Sequence, residues 1–252
     1  MANESSNKRD TKHRTASATD VGESSSLTPY ILVRSSRKTL AIYINKNAEV
    51  EVRAPLRMPI PYIERFVLSK KDWIESRLEK RTRVNGEKAA FVLRYGDLLP
   101  LWGNEYPITA REGGRVGFDG SCFYMPPDMP SDEIKPVMIR IYRLLAKQYI
   151  QGRVEEYARI MRVSPTGVRV TGAKTRWGSC SGKKSLNFSW RLMMADKEVI
   201  DYIVVHELAH ILELNHSPQF WAHVEKIVPE YKACHRKLDQ LQEKLAAQDW
   251  DE

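Results

Sequence analysis

Between His206 and His216 the chain places three of its six histidines, in a segment that also carries a run of apolar residues. Val199, Ile200, Ile203, Val204, Leu208, Ile211 and Leu212 recur at helical spacing, and Asp196 is a suitable N-cap. The pattern predicts a helix buried over much of its circumference. On such a helix His206 and His210 stand one turn apart on the same face, so two imidazole nitrogens can converge on one metal ion. Glu207 lies beside them. As a carboxylate close to the metal but outside the ligand pair, it can take a proton from water.

A catalytic zinc site needs a third protein ligand and an open position. His216 meets the first need. Asn215 tolerates the left-handed conformation that ends helices, and Ser217-Pro218 is an N-cap followed by a proline at the first helical position. The chain is therefore expected to turn sharply at His216 and swing it back to the metal face. Metzincin proteases place a third histidine at this same offset but have glycine where this chain has Glu213. That departure predicts about one more turn of helix after His210 before the chain turns. Glu225 and Glu230 are the alternative third ligands, ranked below His216. The expected cofactor is one Zn2+ per chain, a site that three imidazoles would also offer to Ni or Co.

The rest of the composition narrows the setting. With 252 residues, 42% hydrophobic and 29% charged, the chain has ample material for a core, and no uncharged apolar run approaches the roughly 20 residues that span a bilayer. No membrane association is expected. Cys122, Cys180 and Cys234 lie far apart and form neither a disulfide framework nor a Cys-x-x-Cys knuckle, which points to a reducing, cytoplasmic compartment. The formal charge of +8 is uneven: residues 28–90 carry 14 basic against 7 acidic groups, residues 151–200 carry 10 against 4, and residues 201–252 carry 5 against 10. A basic body with an acidic end can attract nucleic acid, nucleotides or acidic protein segments, or it can simply be a solvated surface.

Residues 1–27, polar and without an apolar signal-peptide core, read as a disordered tail. From Tyr30 to Pro55 the alternation of Ile31, Val33, Leu40, Ile42, Ile44, Val50 and Val52 with polar residues predicts a short antiparallel meander. Pro61 opens a helix carrying Ile63, Phe66, Val67, Trp73, Ile74 and Leu78 on one side. The glycine-rich, aromatic-spotted stretch Phe91–Met125 predicts short strands and tight turns. A long amphipathic helix then runs from Ser131 to about Met161, and extended segments follow at Val168–Thr171 and Leu186–Leu192. The order of elements predicts an α+β chain with three parts: the tail 1–27, a β-rich region with one helix over 28–127, and a metal-binding domain over 128–252.

Arg176-Trp177-Gly178-Ser179-Cys180, the segment around Leu186 to Leu192, Asp201 to Val205 leading into the His-Glu-x-x-His, and Asn215-His216-Ser217 with Phe220-Trp221 resemble the YgjP-like metallopeptidase family, itself related to the SprT-like zinc proteases. Val52 to Pro55, Lys71 to Ile74 and Tyr95-Gly96 extend the resemblance over residues 28–245. It implies a zincin-like metallopeptidase domain after an N-terminal β-rich region, with His206, His210 and His216 as zinc ligands and Glu207 as the catalytic residue.

The substrate is less defined. Arg176, Trp177, Asn187 and Ser189 are the candidate substrate-binding residues, and Leu186–Leu192 is the candidate strand for pairing with an extended peptide. Arg176 could stabilise an oxyanion or pair structurally, Cys180 could approach the metal or pack as a buried thiol, and His223 and His235 read as peripheral. Three functional classes stay open: a peptidase, including one directed at DNA-associated proteins as the SprT-like kinship allows; a zinc hydrolase of a nucleotide or other phosphorylated small molecule, with Arg34, Arg37, Lys38, Arg53, Arg57, Lys70 and Lys71 as anion contacts; and a zinc-stabilised binding module. Glu207, not being a ligand, argues against the last.

Overall fold

The computed structural model describes residues 28–251, so the expected tail 1–27 lies outside the described residues. The chain divides into two compact units between Ala89 and Ala90. In the first, strands β1 (Tyr30–Ser35), β2 (Ala41–Ile44) and β3 (Val50–Pro55) form a sheet in the order β1-β3-β2, followed by helices α1 (Ile60–Leu68) and α2 (Lys71–Ala89). Strand β3 buries Val50, Val52 and Ala54 on one face, where they pack with Ile63, Val67 and Ile74 of the helices. This alternation turns one face of β3 toward the helices.

The three strands do not form the expected antiparallel meander. Strands β2 and β3 are antiparallel around a turn in which the Asn45 side chain accepts from the backbone of Asn47 and Glu49, but β1 runs parallel to β3 on its far side. The period-2 pattern marks which face of each strand is buried and is silent on which strand lies between the others. The single expected helix is two. It breaks at Ser69 and Lys70, where the Ser69 hydroxyl donates to the Phe66 carbonyl. The break leaves Trp73 on the outside, its ring under the Arg77 guanidinium, while Ile74 is fully buried.

The second unit opens with strands β4 (Leu98–Leu101), β5 (Asn104–Ala110), β6 (Gly117–Phe118) and β7 (Phe123–Met125), a sheet in the order β4-β5-β7-β6. The two-residue turn at Trp102-Gly103 has both residues at positive φ, and a Cβ at Gly103 would stand 2.8 Å from an Asp196 carboxylate oxygen. Glycine is required there twice over. Helix α3 (Ser131–Met161) spans the unit, as expected from its periodicity. Then come β8 (Gly167–Thr171), β9 (Gly178–Cys180) and β10 (Ser185–Ser189), a sheet in the order β8-β10-β9, with β8 parallel and β9 antiparallel to the central strand. A 3-10 turn (Trp190–Met194) leads to helices α4 (Lys197–Ala209), α5 (Pro218–Ile227) and α6 (Tyr231–Ala246).

One core joins these elements. Leu99, Leu101, Phe123 and Met125 of the four-stranded sheet belong to the same buried cluster as Tyr142 of α3, Leu186 and Phe188 of β10, and Val204, Val205 and Leu208 of α4. The Tyr142 hydroxyl donates to the Pro100 carbonyl at 2.7 Å. For this reason the 98–125 strands group with the helices that follow, whereas sequence reading placed a boundary after residue 127. The chain is thus α+β, and among the described residues no helix is long and apolar enough to cross a membrane.

The extended segment expected to reach Leu192 stops at Ser189. Trp190, Arg191 and Leu192 alternate as a strand would, yet all three are buried, and a half-exposed strand cannot do that. The 3-10 turn carries Arg191 inward, over the Trp190 ring, where it donates to the carbonyls of Gly172 (2.9 Å), Ala173 (3.5 Å) and Trp250 (2.7 Å). Charge buried at this depth is tolerated because the guanidinium finds acceptors.

Candidate metal centre

Helix α4 is apolar nearly all round and presents its final turn to the site. Asp196 sits at the N-cap position as expected, but its side chain makes no capping bond; it pairs instead with Lys237 of α6 at 2.5 Å. The helix ends at Ala209 with His210 as C-cap, about one turn earlier than sequence reading placed it. The amides of Leu212 and Glu213 both return to the Ala209 carbonyl, a tight closing turn that leaves Leu212 and Leu214 exposed. After it, Ser217 caps α5 by accepting from the Phe220 amide at 3.2 Å, with Pro218 at the first helical position. These two turns bring His216 back onto α4.

The three imidazoles converge. His206, His210 and His216 form a group whose ligand atoms all lie within 4.8 Å of one another, and the Nε2 atoms of His206 and His216 are 3.2 Å apart. Two nitrogens, each about 2.05 Å from one tetrahedral ion, would be roughly 3.3 Å apart, so the spacing matches joint coordination. His210 Nδ1 lies 3.2 Å from the Glu213 carbonyl, an arrangement that places its proton there and leaves Nε2 as the ligand atom. Burial, followed by the neighbouring histidines, lowers the His206 pKa to about 3. Burial likewise lowers that of His210. Neutral imidazoles are what a metal requires. The residues therefore fit a metal ion.

The first turn of α5 walls this group. Phe220 is fully buried with its ring 4.5 Å from His210, and Trp221 stacks 5.6 Å from His216. The capped start of α5 is what sets both aromatics against the histidines. Glu225 and Glu230 are exposed and stand outside the group, and His235 is exposed on α6.

Glu207 points elsewhere, into the sheet. It is 4% exposed, and its Oε2 is buried without a hydrogen-bond partner among the described residues. Burial raises its pKa to about 8, opposed by the charge of Arg176. The carboxyl group packs directly on β9: a Cβ at Gly178 would stand 2.5 Å from its Oε1. Gly178 was named in sequence only as part of a resemblance; nothing in its neighbourhood announces that a carboxylate from a distant helix needs the space. Cys180, two residues along β9, is half-buried, and burial and then Glu207 raise its pKa.

Arg176, Trp177, Asn187 and Ser189 all line one cavity of about 360 Å³, with Thr171, Ala173, Gly178 and Ser179 completing it. Arg176 is exposed. Asn187 donates to the Ser179 hydroxyl at 3.3 Å, and the buried Ser189 hydroxyl donates to the Ala173 carbonyl at 2.7 Å. One expectation fails: β10 is the middle strand, with β8 and β9 on its two edges, so it has no edge left for a peptide. The edge strand against Glu207 is β9.

A family model described as "YgjP-like, metallopeptidase domain" matches residues 38–241, and the chain belongs to this family. Among solved structures, the metallopeptidase zymogen abylysin of Pyrococcus abyssi is 27% identical, with 37% of this chain and 95% of that one covered and a TM-score of 0.35. The zymogen jannalysin of Methanocaldococcus jannaschii is 24% identical, with 36% and 94% covered and a TM-score of 0.33. No curated protein matches the chain.

Proposed function

We propose that the chain is a zinc metallopeptidase in which His206, His210 and His216 hold one zinc ion and Glu207 is the catalytic residue. The observation that carries the reading is a division of labour on one helix. The three imidazoles converge, while the buried carboxyl between two of them in sequence is kept out of the group and holds an oxygen with no hydrogen-bond partner among the described residues. A structural site would have closed its fourth position with another side chain. Zinc in such a site supplies Lewis-acid polarisation of a carbonyl and acidifies water. Glu207 takes the proton of the attacking water and delivers it to the leaving amine, a task suited to a carboxyl whose burial has raised its pKa towards neutrality. Arg176, whose charge opposes that shift, is the cation proposed to face a developing anion.

An extended peptide is proposed to pair with the outer edge of β9. That strand has only β10 as a neighbour and ends beside Glu207, and the cavity behind Gly178 is placed to receive a side chain. The test is Glu207→Gln against a panel of quenched fluorescent peptides and phosphorylated nucleosides, with elemental analysis alongside. The expected result is zinc retained at about one per chain and peptide hydrolysis lost by about 10²-fold or more. Cleavage of nucleosides alone, abolished by the same substitution, would transfer the site to the phosphorylated-substrate class.

A further inference from the structure

The sheet that carries Glu207's neighbour at one edge has a second edge, and its surroundings are of a different kind. Strand β8 pairs only with β10, so the backbone groups on its other side have no ladder partner. Along that side runs a groove between β8 and α3, formed by adjoining cavities of about 950 and 530 Å³ that share Gln151 and Val168. The larger is lined by Val168 and Val170 of the strand and by Leu144 of the helix, which is 56% exposed. Its cations are Arg143, Lys147 and Arg169; Lys147 and Arg169 have no carboxylate partner among the described residues. The one acidic residue along the pair of cavities, Glu155, lies at the far end and accepts from Gln151 at 2.7 Å.

Free backbone donors and acceptors, alternate apolar positions and unpaired cations on one strip are the three elements of recognition by strand addition. We propose that the β8–α3 groove binds an extended acidic segment of a partner or substrate protein, as an added strand next to β8. The charge selects the occupant. A second copy of this edge would bring its cations together, whereas an acidic strand would meet Arg169 across the new ladder and Lys147 on the α3 wall of the groove, while its apolar residues meet Val168, Val170 and Leu144. The site is distinct from that of Glu207, which packs on the opposite edge strand.

The test uses the full chain carrying Glu207→Gln, which removes the complication of cleavage, and a fluorescein-labelled peptide of alternating Glu and Val read by anisotropy. Binding is expected, and it should fall about tenfold in Lys147→Glu with Arg169→Glu, with a smaller loss in the corresponding glutamine pair, whose milder change guards against misfolding. Methylating alternate backbone nitrogens on the ladder side of the peptide should abolish binding, because a strand without those donors cannot pair. Three outcomes would overturn the proposal: equal binding of a Lys-Val peptide, no effect of N-methylation, or a single-stranded oligonucleotide that binds and loses affinity in the same variants while the acidic peptide does not bind.

Discussion

Gly178→Ala adds a single methyl group where the structure has no room for one. Its Cβ would lie 2.5 Å from Glu207 Oε1, 2.6 Å from Cγ and 2.8 Å from Cδ, against an ordinary contact distance of about 3.5–4.0 Å. The conflict needs roughly 1 Å of movement from one side or the other. Strand β9 cannot easily give it, since Gly178 is paired with Phe188 of the central strand. The carboxyl side is equally constrained, because Glu207 is buried on a helix packed all round. Gly178 does not adopt a positive φ, so the substitution adds no backbone strain of its own and reports steric conflict alone. Overpacking of this kind costs about 1–3 kcal/mol, and for a unit of this size each kcal/mol lowers Tm by about 2–4 °C. A catalytic group displaced by about 1 Å loses on the order of 10²-fold in rate.

The assay is hydrolysis of a quenched fluorescent peptide, with thermal unfolding and metal content measured on the same preparation. The expected result is a large fall in kcat/KM with zinc content unchanged, since the three atoms nearest the added methyl all belong to Glu207. Gly182→Ala, whose Cβ would meet nothing within 4 Å, is the control and should be silent in all three measurements. If Gly178→Ala kept kcat/KM near the wild-type value, Glu207 would not need the position it occupies here, and its assignment as proton carrier would fall.

Two further outcomes follow from buried charge. Arg191→Met removes the donor shared by the Gly172, Ala173 and Trp250 carbonyls and should lower Tm by on the order of 10 °C in calorimetry; an unchanged Tm would mean that these acceptors are satisfied without it. In chelator-treated protein, the folded state holds a proton on Glu207 between its ordinary pKa of 4.5 and the raised value of about 8, whereas the unfolded state does not, so stability is lost as pH rises through that window. Glu207→Gln lacks the effect, and its Tm advantage over wild type, measured with chelator present, should widen from pH 5 to pH 8; a narrowing difference would contradict the burial that raises this group.

Legibility in the sequence followed the range of the interaction. The paired histidines His206 and His210 could be read because i, i+4 spacing on a helix is local geometry, and the return of His216 because Asn215 and Ser217-Pro218 announce a turn within a few residues. The helix end was misjudged by about a turn. Ile211 and Leu212 continue the apolar period, and only the tertiary setting shows that the chain closes on Ala209 and leaves Leu212 in solvent. The same limit applies to the sheets: alternation identified β1, β3, β8 and β10 as strands, but which strand is central depends on neighbours distant in sequence. That is why β10 was chosen for a peptide it has no edge to receive.

Glu207 and Gly178 mark the boundary between the two kinds of knowledge. The type of chemistry at Glu207 follows from its place beside His206, whereas its state follows from β9, 29 residues earlier in the chain. Burial against that strand disfavours the carboxylate of Glu207, and burial of His206 disfavours its imidazolium, so neighbouring residues of one helix are both pushed toward their neutral forms. A cation held among the imidazoles would reverse the balance for the carboxyl, because positive charge nearby favours its ionised form. The sheet that presses on Glu207 would then couple its protonation to metal occupancy. A spacing motif could place the groups on one helix, but that coupling exists only where a strand with glycine at position 178 closes over them.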